Sequence, residues 1–184
     1  VPVQPAQGPV LTPVPPAPST ANAGQCPAGQ QLSATGSVVS AVRTIVVPGT
    51  ASGMFSGVVL RKGAPYLYDR GTVYYEIAAS GSIKVGVFGE TGTSPDGWEP
   101  QGPAGPGFPA PDAYTFSLIH RVGSTGPWKS AGSGTVIRLG KTDPDQADLY
   151  FAINDTGTSD NDGSFNVTDT EKTLTTACRT PPPV

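Results

Sequence analysis

Charged residues and histidine are scarce in this chain. Only 14% of its 184 residues are charged, and it contains one histidine and two cysteines. The net charge is −3, so the chain lacks the basic field with which proteins hold nucleic acid. One histidine and two cysteines exclude the usual multi-His or multi-Cys zinc site. No apolar run approaches the roughly 18 residues that a membrane-spanning helix requires, so we expect no such helix.

Familiar catalytic signatures are also missing. The chain has no Gly-x-Ser-x-Gly elbow, no phosphate-binding loop and no cysteine–histidine pair. The single histidine, His120, lies in an alternating apolar stretch, where we expect it to pack in or on a strand. We therefore predict a binding or structural protein and not an enzyme.

Glycine and proline are abundant, with 24 and 21 copies, and both disfavour helices. The 36% of hydrophobic residues can nevertheless form a core. They fall in short stretches, often alternating and separated by turn residues such as Ser80-Gly81-Ser82. Eight such stretches predict an all-β fold, a small antiparallel β-sandwich, with strands at 37–47, 58–60, 73–79, 83–87, 113–122, 135–139, 149–153 and 165–167.

The two ends of the chain differ from its middle. Residues 1–30 contain eight prolines, no aromatic residue and no charge, which predicts an extended polyproline-II arm. The arm is either a linker or stalk, or a segment that docks on a neighbouring protein. We place the sandwich domain at residues 31–178 and a Pro-rich tail at 179–184.

Cys26 and Cys178 lie near opposite ends of the chain. The start at Val1 without methionine, the few lysines and the Pro-rich flanks are typical of an exported protein whose signal peptide has been removed. In such a protein we expect a Cys26–Cys178 disulfide, which would stabilise the fold by about 5 kcal/mol. In a cytosolic protein they would be unrelated thiols. The expected location is secreted, periplasmic or cell-surface.

Acidic residues are concentrated near the C-terminus, where eight of the 14 lie between Asp143 and Glu171. Residues 154–163 read Asn-Asp-Thr-Gly-Thr-Ser-Asp-Asn-Asp-Gly and stand between two predicted strands, so we expect a hairpin tip rich in oxygen donors. Calcium takes six to eight oxygen ligands, and this loop can supply several. The alternative is a solvated polar turn. An EF-hand is disfavoured, because Thr158 stands in place of the first carboxylate and both flanks read as strands.

Residues 91–111 hold six prolines and five glycines together with Trp98 and Phe108. Loops of this length are often functional. Because proline stiffens this one, its aromatic side chains suit contact with a ligand or partner.

Four stretches, in order and spanning roughly residues 55–168, resemble the calcium-dependent galactose-binding lectins of bacteria. They are Tyr68-Asp69-Arg70-Gly71-Thr72-Val73 with Ala78-Ala79, Gly97-Trp98-Glu99-Pro100-Gln101-Gly102, Asp112-Ala113-Tyr114 through Leu118-Ile119-His120-Arg121-Val122-Gly123, and Ile153-Asn154-Asp155 with Asp160-Asn161-Asp162-Gly163-Ser164-Phe165.

The resemblance implies a galactose-binding-like jelly roll with one Ca²⁺ at its rim. Vicinal sugar hydroxyls would complete the calcium shell, and Trp98 or Phe108 could stack on a sugar face. The implied metal ligands are Asp155, a carbonyl near Thr158, Asp160, Asn161 and the carbonyl of Val85 or its neighbour, with the Asp162 carboxylate beside them.

The chain also departs from that family. The family's sugar-contacting His and Gln have no counterpart in residues 105–110, and residues 1–50 and the cysteine pair are additional. We expect a calcium-dependent carbohydrate-binding module. The alternative is a non-catalytic structural or accessory subunit of a periplasmic or cell-surface assembly, which would contact protein partners through its Pro-rich arm and the 91–111 loop.

Overall fold

The computed structural model describes residue 26 and residues 28–63, 65–66, 70–86 and 92–180. These residues form ten β-strands. They are β1 (Gln31–Pro48), β2 (Met54–Arg61), β3 (Pro65–Tyr66), β4 (Arg70–Gly71), β5 (Val73–Lys84), β6 (Leu118–Val122), β7 (Lys129–Ser130), β8 (Gly134–Ile137), β9 (Gln146–Ile153) and β10 (Asp162–Arg179). No helix in these ranges is long and apolar enough to cross a membrane.

The strands form two four-stranded sheets, ordered β1-β10-β5-β8 and β2-β9-β6-β7, and β3 pairs with β4. All pairs are antiparallel. Alternate residues of both sheets face a shared core, as Leu149, Phe151 and Ile153 of β9 do with no exposed surface. Each such side chain contributes roughly 1.5–3 kcal/mol of burial. The predicted antiparallel β-sandwich is confirmed.

Two local predictions were wrong. Residues 80–82 were expected to form a turn, but they lie inside β5. Gly81 has φ +101°, and a Cβ there would lie 2.7 Å from the Ser164 carbonyl oxygen of β10. The glycine therefore marks a close approach of two backbones and not a chain reversal. The strand expected at 113–122 begins only at Leu118, because residues 113–117 fold into a loop.

The ends of the described sandwich are joined covalently. A disulfide links Cys26 to Cys178, with their Cα atoms 5.5 Å apart, which confirms the predicted bridge. β1 begins at Gln31 and β10 ends at Arg179. Most of the predicted N-terminal arm (residues 1–25 and 27) and most of the tail (residues 181–184) lie outside the described residues.

The acidic loop connects β9 to β10, which belong to different sheets. It is therefore not the tip of a hairpin, as its sequence suggested, but a crossing at the rim of the sandwich. A single 3-10 turn, Thr158–Asp160, lies within it. This crossing brings the loop beside the end of β5 and the segment that precedes β6.

Candidate metal and ligand cleft

A cleft of about 180 Å³ lies at this rim. Three segments distant in sequence form it: the residues after β5, the loop before β6 and the β9–β10 crossing. It is lined by Val85, Gly86, Phe116, Asp155, Gly157, Asp160 and Asn161. Four of the six implied metal ligands thus lie around one small cleft.

Asn161 is the most informative residue of the cleft. It is only 7% exposed, and its Nδ2 donates to the Gly49 carbonyl at 3.1 Å and to Asp155 Oδ2 at 3.0 Å. These two bonds fix the orientation of the amide. Its Oδ1 is buried and has no hydrogen-bond partner within the described part of the chain. An unsatisfied buried acceptor costs roughly 1–3 kcal/mol, which a bound cation would offset.

Asp155 and Asp160 bring negative charge to the cleft. Asp155 Oδ1 accepts a hydrogen bond from the Gly157 amide at 3.1 Å. A Cβ at Gly86 would lie 2.8 Å from Asp160 Oδ2, so the carboxylate fits only against a glycine. Among the described residues, neither carboxylate forms a salt bridge.

The donor set fits calcium. Two carboxylates, one buried amide oxygen and the Val85 backbone are hard oxygen donors of the kinds that calcium takes. The described segments contain no group of three or more His, Cys, Asp or Glu that could hold a metal. Here the third side-chain donor is an amide, and the cleft has no nitrogen or sulfur ligand of the kind that zinc prefers.

Two implied ligands do not line the cleft. The Thr158 hydroxyl donates to the Thr50 carbonyl at 3.0 Å, and the Thr158 carbonyl accepts from the Asn161 amide at 3.2 Å. Asp162 is exposed, and its Oδ1 accepts from the Gly163 amide at 2.7 Å. Both residues support the loop locally.

Aromatic side chains form one side of the site. Phe116 lines the cleft, and its ring stacks on Trp98 with centroids 6.4 Å apart and planes 21° apart. Trp98 is 45% exposed. Neither Trp98 nor Phe108, the two aromatic residues expected to contact sugar, lines the cleft itself, and Trp98 reaches it only through Phe116. Sequence reasoning missed Phe116, because its place in an alternating stretch indicated an ordinary strand residue.

Asn154 holds the loop that carries Phe116. Its side chain is fully buried and accepts from the Ala110 amide at 2.9 Å. Its Nδ2 donates to the carbonyls of Ala110, Ala113 and Tyr114 at 2.9, 3.3 and 3.0 Å. The Asn154 carbonyl accepts from the Phe116 amide at 2.9 Å. One residue beside Asp155 thereby couples the acidic loop to the aromatic side of the cleft.

No protein-family model matches the chain, and no curated protein matches it. One similar solved structure is that of the EclA N-terminal domain, described as a PllA-like lectin, which is 21% identical over 72% of this chain and 95% of that one. Its TM-score is 0.46.

Proposed function

We propose that this chain is a calcium-dependent carbohydrate-binding module of an exported protein. One observation carries the proposal: Asn161, whose buried Oδ1 has no hydrogen-bond partner among the described residues, lines a cleft together with Asp155 and Asp160. The disulfide supports export, because such bonds persist in oxidising compartments.

The cleft residues would supply different kinds of calcium ligand. Asp155 and Asp160 would supply charge, Asn161 Oδ1 a neutral oxygen and Val85 a backbone carbonyl. A bound calcium ion would offer positions for two vicinal sugar hydroxyls, which are neutral oxygen ligands. Asp155 and Asn161 are held together by their mutual hydrogen bond, so part of the site is ordered in advance.

The test begins with the thermal midpoint of EDTA-treated protein. We expect calcium to raise the midpoint, because an ion that binds only the folded state stabilises it. The double variant D155N/D160N should lose the response. The variant D148N, which removes an exposed carboxylate outside the cleft, should keep it. An unchanged wild-type midpoint would contradict metal binding.

Sugar binding is tested next, on a glycan array in calcium and again in EDTA. We expect signals that disappear with EDTA. Calcium binding with a blank array would contradict the lectin function and leave only a metal-stabilised domain.

One observation favours an accessory role through protein contacts. β1 is an edge strand, and Val38, Val42 and Val46 on it are 57%, 62% and 55% exposed. Rows of exposed apolar residues on a strand edge invite pairing with another chain. Light scattering of the intact protein and of a V42K variant tests this role, since association through β1 should be lost in the variant.

A further inference from the structure

Phe116 has an unusual backbone. Its φ is +62°, and it is the only non-glycine residue in the described segments with positive φ. For a residue with a bulky side chain this region costs roughly 1–3 kcal/mol. Glycine would fit the position without strain. Phe116 therefore occupies a position whose backbone conformation favours glycine over a residue with a bulky side chain.

The neighbouring loops lock Phe116 in this conformation. Its amide donates to the Asn154 carbonyl at 2.9 Å, and the Trp98 amide donates to the Thr115 carbonyl at 2.9 Å. The second bond joins the loop that carries Trp98 to the loop that carries Phe116. Main-chain bonds therefore hold the two loops that carry the stacked rings.

Core packing accounts for only one of the two rings. Phe116 is partly buried and packs against the main core, whereas Trp98 remains almost half exposed. An aromatic pair with one ring on the wall of a polar cleft matches the usual composition of a ligand site, in which apolar walls accompany a few polar groups.

We infer that Phe116, backed by Trp98, determines specificity by packing against the C–H face of a neutral hexopyranose. This inference rests on the proposed function, in which the sugar's vicinal hydroxyls face calcium held by Asp155 and Asp160. Aromatic rings gain from covering apolar surface, so a sugar with an uninterrupted C–H face is favoured. Uronates are disfavoured, because a carboxylate packed against the rings would lose part of its hydration.

The variant F116G tests the inference directly. Glycine accepts the φ of +62°, so we expect the variant to fold and to bind calcium within about twofold of wild type. Loss of the ring should weaken binding of methyl hexopyranosides by about tenfold, from the area uncovered. Calorimetry measures both affinities. Saturation-transfer NMR with irradiation of the aromatic protons should transfer to sugar C–H groups in the wild type and much less in F116G.

The matched control is Y114L, which removes an exposed aromatic ring from the same loop but outside the cleft. We expect Y114L to bind the hexopyranosides like wild type. We also expect the wild type to bind sodium glucuronate more weakly than the neutral hexopyranoside. If the wild type binds calcium and sugar but F116G binds hexopyranosides equally well, this inference is overturned and the proposed function stands. A wild type that binds no calcium, or calcium but no hexopyranoside, would overturn the proposed function and this inference with it.

Discussion

At the scale of single residues, Gly86 shapes the cleft by what it lacks. The space where its Cβ would lie is taken by the Asp160 carboxylate, 2.8 Å away, and its φ of +53° also disfavours a side chain. We expect G86A to displace Asp160 and to weaken calcium binding at least tenfold, because one charged ligand is lost or moved. Calorimetric titration measures the change. Equal affinities in G86A and wild type would show that Asp160 does not hold the ion.

His120 is a buried residue whose protonation opposes folding. Burial, with a smaller effect from Lys129, lowers the pKa of His120 to about 4, and the side chain is 6% exposed. The unfolded chain binds this proton near pH 6.5 and the folded chain only near 4. Stability from His120 is therefore present above pH 6.5 and is lost as the pH falls toward 4, by roughly 3 kcal/mol.

Urea unfolding at pH 7 and pH 4 checks the His120 prediction. The variant H120F should lose less stability between the two pH values than wild type, since other titrating groups are common to both. An equal loss in both proteins would contradict it. Because the comparison is of pH slopes, a general destabilisation of H120F does not affect it.

At the scale of elements, an ionic cluster ties the sheets together at one side of the sandwich. Asp169 of β10 accepts from Arg43 of β1 at 2.8 Å. Glu171 of β10 accepts from Arg43 at 3.1 Å and from Arg61 Nε of β2 at 3.0 Å. Both carboxylates are buried. Because Glu171 of β10 pairs with Arg43 of β1 and with Arg61 of β2, it links one sheet to the other.

We expect E171Q to lower the free energy of unfolding by roughly 1–3 kcal/mol, since a buried ion pair is broken but both arginines still reach water. The matched control is E76Q. It removes the partner of Lys172 in a more exposed pair and should cost less than about 1 kcal/mol. Urea denaturation ranks the two variants. An E76Q variant at least as destabilised as E171Q would contradict this role of the cluster.

Strands β9 and β10 show how far the alternation of apolar and polar residues predicts structure. In β9 the pattern Leu149, Phe151, Ile153 alone identifies the buried face. In β10 the core-facing side includes Asp169 and Glu171. Their burial depends on arginines of other strands, so the local sequence does not indicate it. The turn expected at Gly81 was wrong for a related reason, because only the β5–β10 pairing shows why glycine stands there.

At the scale of the whole molecule, the disulfide spans 152 residues of sequence. In the chain-entropy model, closing a loop of this size stabilises the fold by about 5 kcal/mol. We expect the double variant C26S/C178S to unfold at markedly lower urea concentration, with calcium affinity retained at temperatures where it stays folded. A variant as stable as wild type would show that the bridge constrains little.

The candidate site was partly predictable from sequence. Asp155, Asp160 and Asn161 fall within one loop, so local composition identified them together. Gly86 and Phe116 come from other segments, and only the crossing of the β9–β10 loop between the sheets places them in the same cleft. The backbone of Phe116 was not predicted, because a local turn closed by the Ser117 amide and Tyr114 carbonyl, together with a bond to the distant Asn154 carbonyl, interrupts a stretch whose alternation indicated a strand.

The most direct test of the calcium cleft is a calorimetric titration of the EDTA-stripped, disulfide-intact protein with calcium, performed beside N161L. We expect one ion per chain in the wild type and no measurable binding in N161L, which lacks the buried oxygen. Absence of heat in a folded wild type, or the same affinity in both proteins, would contradict the assignment of this rim as a metal site.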